Sequence, residues 1–324
     1  MIEVSVVIVS MNRPDMLFPC LDSIKAHTSV SYETLVVAYL FSPENLAALK
    51  ENYPWVTILR SDELRGFSEN NNLALRQASG KYCFIVNDDT LMNEPVIDRL
   101  VSCFEHLPSN AAAISPCIRF ADGSIQTCGR TRWTPLRYAR HYLHLVDESK
   151  AGVCPRTSGH PRPDKREGPA DAVSGRGLSE AKAVRGHIPA LDVYQTYTLN
   201  GACFLIKTDA FKKVGWFDQR YFFTPEDIAL GHTLNDMGYT VWVAPGVNIT
   251  HLAGGSVSSL EAAIKPTRVR GSMIFYGEPL WLKCFIWWVE AFRYFILRRK
   301  AARNVMEAVF SHLTPKEIFV KFRP

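Results

Sequence analysis

Short β-branched apolar runs alternate along the chain with stretches whose apolar residues recur every three or four positions. That is the pattern of βαβ units on a mostly parallel sheet. Val4 to Val9 is apolar but for Ser5, as a strand covered on both faces must largely be. Asn12 and Pro14 then open a helix whose Leu17, Cys20, Leu21 and Ile24 share one face. Leu35 to Tyr39 reads as the second strand, Ser42-Pro43 as the start of the second helix, and Val56 to Leu59 as the third strand. Ser68 to Ala78 is helical and stops at Gly80. Tyr82 to Val86 makes a fourth strand that runs straight into Asn87-Asp88-Asp89-Thr90, where open α/β sheets place their ligands.

A helix carrying Ile97, Leu100, Val101 and Phe104 follows, then a strand near Ala112 to Ser115 and a stretch Ile118 to Thr127 whose Asp122-Gly123 predicts a hairpin turn. From about Asp147 to Asp192 the chain turns rich in Gly, Pro, Ser, Lys and Arg. This predicts a long loop, which either closes over an acceptor or is a disordered insertion. Patterning resumes with Ala202 to Ile206, a short helix ending at Gly215, a helix from Glu226 to Met237 stopped by Gly238, and a strand from Thr240 to Ala244. There is no internal repeat.

Leu280 to Leu297 is strongly apolar and aromatic, yet Lys283, Glu290 and Arg293 interrupt it, too many charges for so short a membrane span. With Arg298, Arg299, Lys300 and Arg303 following, 280–303 reads either as a peripheral helix in a membrane interface or as a C-terminal helix packed on the core or a partner.

Of the 324 residues, 47% are hydrophobic and 21% charged, which permits a large core and excludes a disordered tail, a disulfide miniprotein or a coiled coil. The net charge of +5 suits anionic substrates or an anionic membrane surface, and does not amount to the clustered basic stripe of a nucleic-acid binder. Eight scattered cysteines without a C-x-x-C pair read as reduced thiols in a cytoplasmic protein. Met1 to Ser10 lacks the basic region and cleavage site of a signal peptide, and Asn248-Ile249-Thr250 is then a chance sequon.

Paired carboxylates at Asp88-Asp89 can hold a hard divalent cation that in turn binds a diphosphate; the alternative is a solvated turn. In Thr224-Pro225-Glu226-Asp227 the carboxylate of Asp227 is either a general base or part of a capping box with Thr224. His251, in His-Leu-Ala-Gly-Gly-Ser, is a candidate ligand or a structural histidine. There is no P-loop, G-x-G-x-x-G after a strand, H-E-x-x-H or G-x-S-x-G, so ATPase, Rossmann dehydrogenase, zincin and α/β-hydrolase readings have no support. His141 and His144 are spaced H-x-x-H, but no cysteine or acidic cluster completes a zinc site, so they read as a solvated face.

These residues resemble a known family. Val4 to Pro14 with Cys20-Leu21-Asp22-Ser23-Ile24 resembles the opening strand and helix of family 2 glycosyltransferases with the GT-A fold. Arg65-Gly66-Phe67 with Asn70-Asn71-Asn72 resembles the family's G-F-x-x-x-N-N segment, and Asn87-Asp88-Asp89-Thr90 its D-x-D-type metal motif. Asp122 to Gln126 resembles a hairpin of its rhamnosyltransferase-like branch. Asn200-Gly201-Ala202-Cys203, Gly215-Trp216-Phe217-Asp218, Glu226-Asp227 and His251 with Gly255-Ser256 follow in order. The match makes residues 1–256 a GT-A domain, a Rossmann-like mostly parallel central sheet flanked by helices, and leaves 257–324 as a C-terminal helical extension.

The resemblance implies inverting transfer of a sugar from a nucleotide-diphosphate donor, dTDP- or UDP-linked, to a hydroxyl of a glycan or lipid-linked acceptor. The setting is cell-surface polysaccharide assembly at the cytoplasmic face of the membrane. Asp89 and His251 hold Mg2+ or Mn2+, with Asp88 beside them. Asp227 is the general base and Glu226 its neighbour or an acceptor contact. Asn12, Arg13, Tyr39, Arg65, Gly66, Asn71 and Asp88 line the donor side. One departure stands out: the second strand of the family usually ends in an Asp that meets the base, and Val37-Ala38-Tyr39-Leu40 stands here, with Tyr39 as a stacking surface and Arg13, Asp62 or Arg65 as polar contacts. That departure also motivates a non-catalytic nucleotide-sugar-fold scaffold, and the basic loop from Arg156 to Arg185 permits a nucleic acid or protein acceptor.

Overall fold

The computed structural model describes residues 2–144, 187–188, 192–252, 260–297, 299 and 301–323. The first half of the sheet is built from β1 (Val4–Met11), β2 (Tyr32–Tyr39), β3 (Thr57–Ser61) and β4 (Tyr82–Asn87), with α1 (Pro14–His27), α2 (Pro43–Asn52) and α3 (Phe67–Leu75) between them. All three pairings in the order β3-β2-β1-β4 are parallel. β1 lies inside the sheet, and Val4, Val6, Val7 and Ile8 are wholly buried; Ser5, the one polar residue among them, is buried as well, donating to Glu33 Oε1 (2.6 Å) and accepting the Gly80 N–H (2.8 Å). The face of α1 formed by Leu17, Cys20, Leu21 and Ile24 is wholly buried too.

The second half mixes directions. It contains β5 (Thr90–Leu91), α4 (Val96–His106), β6 (Ala111–Arg119), β7 (Gly129–Arg130), α5 (Pro135–Tyr142) and β8 (His187–Ile188). Then come β9 (Val193–Thr196), β10 (Thr198–Leu199), β11 (Cys203–Lys207), α6 (Thr208–Lys213), α7 (Glu226–Asp236) and β12 (Thr240–His251). The sheet continues from β4 as β11-β6-β12-β9-β8, with β11 antiparallel to both neighbours, β6 and β12 parallel, and β9 and β8 antiparallel at the edge. The parallel arrangement read from the sequence thus holds on the N-terminal side and gives way where β11 enters.

Two differences from the sequence pattern bear on the site. The strand expected to end at Ala244 runs on to His251 after a register shift between Ala244 and Asn248, where Pro245 has no N–H for the ladder. The two-residue strands β7 and β10, paired antiparallel, are too short to show a period. The Asp122-Gly123 turn forms as expected: Gly123 sits at φ +80°, and Asp122 Oδ1 accepts from the N–H and hydroxyl of Ser124. Most of the polar stretch 147–192 lies outside the described residues, as do Gly254, Gly255 and Ser256.

The C-terminal extension is helical: α8 (Glu261–Phe275), α9 (Leu280–Phe295), α10 (Ala302–Phe310) and α11 (Pro315–Phe322). Met273, Leu282, Ile286, Val305 and Val309 pack with Ala139 of α5, while Ala263, Ile264 and Phe319 pack with Phe222, just before the Glu226-Asp227 pair. A Cβ at Gly271 of α8 would stand 2.6 Å from the Thr224 carbonyl oxygen, so these helices press on the backbone that carries the pair. Glu290, wholly buried, accepts from Tyr142 Oη (2.6 Å), Lys265 Nζ (3.0 Å) and the Arg293 guanidinium. Burial opposes its charge, but these donors hold its carboxyl below the usual value.

Candidate active site

The acidic motif leaves β4 and turns at once into β5, which pairs with the end of β12 and sets His251 opposite Thr90. Leu252 N–H donates to the Asp89 carbonyl (2.9 Å), which fixes the turn against the end of that strand. The Asp122-Gly123 hairpin returns Gln126 to the same place. Its Nε2 donates to the His251 carbonyl (3.0 Å), which turns Oε1 toward His251 Nδ1 at 2.9 Å. Nδ1 therefore carries a proton, and the ring presents Nε2 to Asp89 Oδ1 at 3.1 Å, with Asn87 Nδ2 3.4 Å from the same nitrogen. Asp89 Oδ1 is buried and receives no hydrogen bond. A buried carboxylate oxygen and an imidazole nitrogen side by side fit two ligands of a divalent metal, one hard oxygen and one nitrogen donor. Among the described residues no group of three or more His, Cys, Asp or Glu converges, so the protein leaves further ligand positions open. Asp88, beside this pair, is pushed up to about 6 by burial and then by the Asp89 charge.

Asp227, at the start of α7, is linked to the acidic motif through the turn that leads into β11: Asn87 N–H donates to the Ala202 carbonyl (2.9 Å), and Gly201 N–H to Asp227 Oδ2 (3.2 Å). Arg130 Nη1 reaches the same oxygen at 3.4 Å, and Ile228 N–H donates to Oδ1 at 2.7 Å. The capping box with Thr224 does not form; Pro225 is the N-cap residue and no side chain caps the helix. The donors around Asp227 fix the direction of its carboxylate. Glu226 is different. It is buried, its Oε2 has no hydrogen-bond partner, and burial followed by the Asp227 charge pushes its carboxyl up to about 8, with Arg268 of α8 opposing the shift. Glu226 is thus a neutral, inward neighbour of the candidate base, not an open contact for an acceptor.

A stability test follows from the sign of this shift. The folded state holds the Glu226 proton more tightly than the unfolded chain, so its contribution is fully present below about 4.5 and is lost as pH rises through about 8. Melting temperatures measured across that window should fall more steeply for the wild type than for Glu226→Gln, with the variant the more stable at the alkaline end. Parallel curves would refute the assignment.

The residues expected along the donor side divide. Arg13 is partly exposed and paired with Asp15 through Nε (2.9 Å) and Nη2 (2.8 Å), with Asp88 and Asp89 adding to the field that holds its proton. Asn12, at φ +52°, spends its Oδ1 on the Ser42 N–H and Asn45 Nδ2 at the head of α2. Arg65 donates to Ser61 Oγ and Glu63 Oε2, both at 3.0 Å. Tyr39 is only 6% exposed and its hydroxyl accepts the Arg65 N–H, so it braces this loop and offers no open ring face for a base. Asn71, 1% exposed, donates to the Phe67 carbonyl, and Asn72 clamps Phe217 through both the N–H and carbonyl of its backbone. These asparagines hold α3 to the rest of the domain and do not face a ligand.

Gly66 likewise serves a close approach of chain to chain. A Cβ there would stand 2.5 Å from the Phe222 carbonyl oxygen and 2.7 Å from its Cα, and that carbonyl accepts the Phe67 N–H. Gly66→Ala must push away the segment that leads to Asp227, at a cost of about 2 kcal/mol. Chemical denaturation should show that loss, and an unchanged midpoint would refute the contact.

Sequence reading missed Gln126 and Arg130 as site residues. Gln126 follows a turn that the sequence does announce. Arg130 arrives through β7, which carries no periodic signal.

A twisted sheet with acidic residues past one strand end, a histidine brought beside them and a carboxylate across the cleft defines the GT-A class of glycosyltransferase folds. Residues 5–162 match the sequence family described as Glycosyl transferase family 2. It is similar to O-antigen biosynthesis protein RfbC of Myxococcus xanthus (25% identity over 253 residues, 77% of this chain), although the match spans only 17% of that longer protein. It is also similar to N-acetylglucosaminyl-diphospho-decaprenol L-rhamnosyltransferase of Mycobacterium tuberculosis (23% identity, 79% of this chain and 77% of the relative). Among solved structures the fold matches GalNAc-T7 with UDP, GalNAc and Mn2+ (TM-score 0.53, 14% identity, 78% of this chain and 44% of that one). It also matches mannosyltransferase PcManGT from Pyrobaculum calidifontis in complex with GDP-Man and Mn2+ (TM-score 0.52, 16% identity, 98% of this chain and 78% of that one).

Proposed function

We propose that the chain transfers a sugar from a dTDP- or UDP-linked donor to a hydroxyl of a glycan or lipid-linked acceptor, with inversion, in cell-surface polysaccharide assembly at the cytoplasmic membrane face. The observation that carries this is the meeting of Asp89 Oδ1, buried and without a hydrogen bond, and His251 Nε2 at 3.1 Å. They hold Mg2+ or Mn2+, whose chemistry is to neutralise the charge that grows on a leaving diphosphate. Gln126 keeps the imidazole in the binding tautomer. Asp227, aligned by Gly201, Ile228 and Arg130, takes the proton of the acceptor hydroxyl as it attacks the anomeric carbon. Glu226, whose carboxyl burial pushes up to about 8, stands beside it as a protonated neighbour, and Asp227 is the base. The rhamnosyl transfer named for the mycobacterial relative supports a deoxysugar donor and a polyprenyl-diphosphate acceptor.

Mass spectrometry of a short-chain N-acetylglucosaminyl-diphosphate lipid incubated with dTDP-rhamnose, UDP-hexoses and Mn2+ tests the reading. A product heavier by one sugar, lost on adding a chelator, is expected. Nucleotide binding without any product would favour the non-catalytic scaffold instead.

A further inference from the structure

We propose that the outer face of α9 seats the protein on an anionic lipid bilayer. Trp281, Cys284, Trp288, Phe292 and Phe295 follow one another at intervals of three or four residues and so form a single stripe along the helix. The inner face, with Leu282, Ile286 and Glu290, is buried in the helical layer. On the stripe, Trp281 is 50%, Trp288 68%, Phe292 56% and Phe295 57% exposed. A run of aromatic surface of that size calls for an apolar partner. Tryptophan and phenylalanine at such a density suit the boundary between headgroups and acyl chains, where amphipathic rings settle.

Charge selects the occupant. Ile296 and Leu297, both at least half exposed, extend the stripe, and the run Arg298, Arg299, Lys300 and Arg303 follows directly. Arg299 and Arg303 are exposed. A second copy of the chain seated on this stripe would bring an equal positive cluster, whereas an anionic bilayer complements it. Among the described residues no helix is long and apolar enough to cross a membrane, so α9 lies along the surface. Glu290 makes the seat rigid. It is on the inner side of α9, and it ties that helix to α8 through Lys265 and to α5 through Tyr142.

This inference rests on the helix and not on sugar transfer, and flotation tests it without donor, metal or acceptor. Full-length wild type, Trp288→Glu/Phe292→Glu and Arg299→Gln/Arg303→Gln are floated with phosphatidylcholine vesicles, with and without phosphatidylglycerol. The substituted side chains are exposed, so circular dichroism and melting should stay as in the wild type. Wild type should float only with phosphatidylglycerol and less well in high salt. Each basic residue near such a surface is worth about a fivefold factor, so the arginine variant should partition about thirtyfold less. The aromatic variant should stay at the bottom. Failure of the wild type to float, or flotation of the aromatic variant like the wild type, overturns the proposal. So does a wild-type dimer that the aromatic variant dissolves, because the stripe would then be covered by a second copy.

Discussion

Asp227→Asn should lower the transfer rate by about a thousandfold while leaving nucleotide binding intact, the size expected when a general base is removed from its proton. The substitution keeps the shape of the side chain but removes the proton acceptor. It also sets an amide NH2 among the Gly201, Ile228 and Arg130 donors, all of which need an oxygen. Both effects act on the acceptor side of the site. Nucleotide-induced stabilisation, which depends on Asp89 and His251, should survive and serves as the control. Turnover within tenfold of the wild type would reject Asp227 as the base.

Asp89→Ala and His251→Ala should each cost at least about a thousandfold in transfer, because a cation that neutralises a leaving diphosphate contributes several kcal/mol. The two sites fail for different reasons. Alanine at 89 removes the charged oxygen, whereas alanine at 251 leaves that oxygen buried without its 3.1 Å partner. Gln126→Ala should fall between these variants and the wild type, lowering metal affinity about 10- to 100-fold, since it frees the imidazole to change tautomer. Titration of activity against Mn2+ orders the three. A Gln126→Ala curve superimposable on the wild type would show that the ring needs no such holder, and metal-independent activity in Asp89→Ala would remove the metal from the account.

Much of the fold could be read from the sequence because burial on both faces leaves a plain signature. The largely apolar run of β1, the buried face of α1 and the Asp122-Gly123 turn all stand where the pattern puts them. The acidic pair and His251, far apart along the chain, also come together in the fold. The donor side was not legible. Gly66, Asn71 and Tyr39 carry polar or permissive chemistry that looks ready for a ligand, but each is spent inside the protein: Gly66 on Phe222, Asn71 on Phe67, Tyr39 on the Arg65 backbone. A motif records that a residue type is needed and is silent on whether its partner is a ligand or the chain itself. Arg130 escaped for the opposite reason, since a two-residue strand has no periodicity and its partner lies 97 positions away. In the C-terminal region the sequence left a packed helix and an interfacial helix as alternatives. Leu282, Ile286 and Glu290 are the buried side of one, and Trp288 and Phe292 are the exposed side available to the other.

The pairing of Asp89 with His251 as a metal and diphosphate site is the centre of this account. Thermal shifts of wild type and Asp89→Ala with UDP, dTDP, GDP and CDP, each with and without Mn2+, test it most directly. At a ligand concentration about a hundred times its Kd, binding adds about 2.7 kcal/mol to stability, well within reach of such a measurement. The account predicts that dTDP or UDP raises the melting temperature only with Mn2+ and only in the wild type. Equal stabilisation of Asp89→Ala, or stabilisation that ignores the metal, would contradict it.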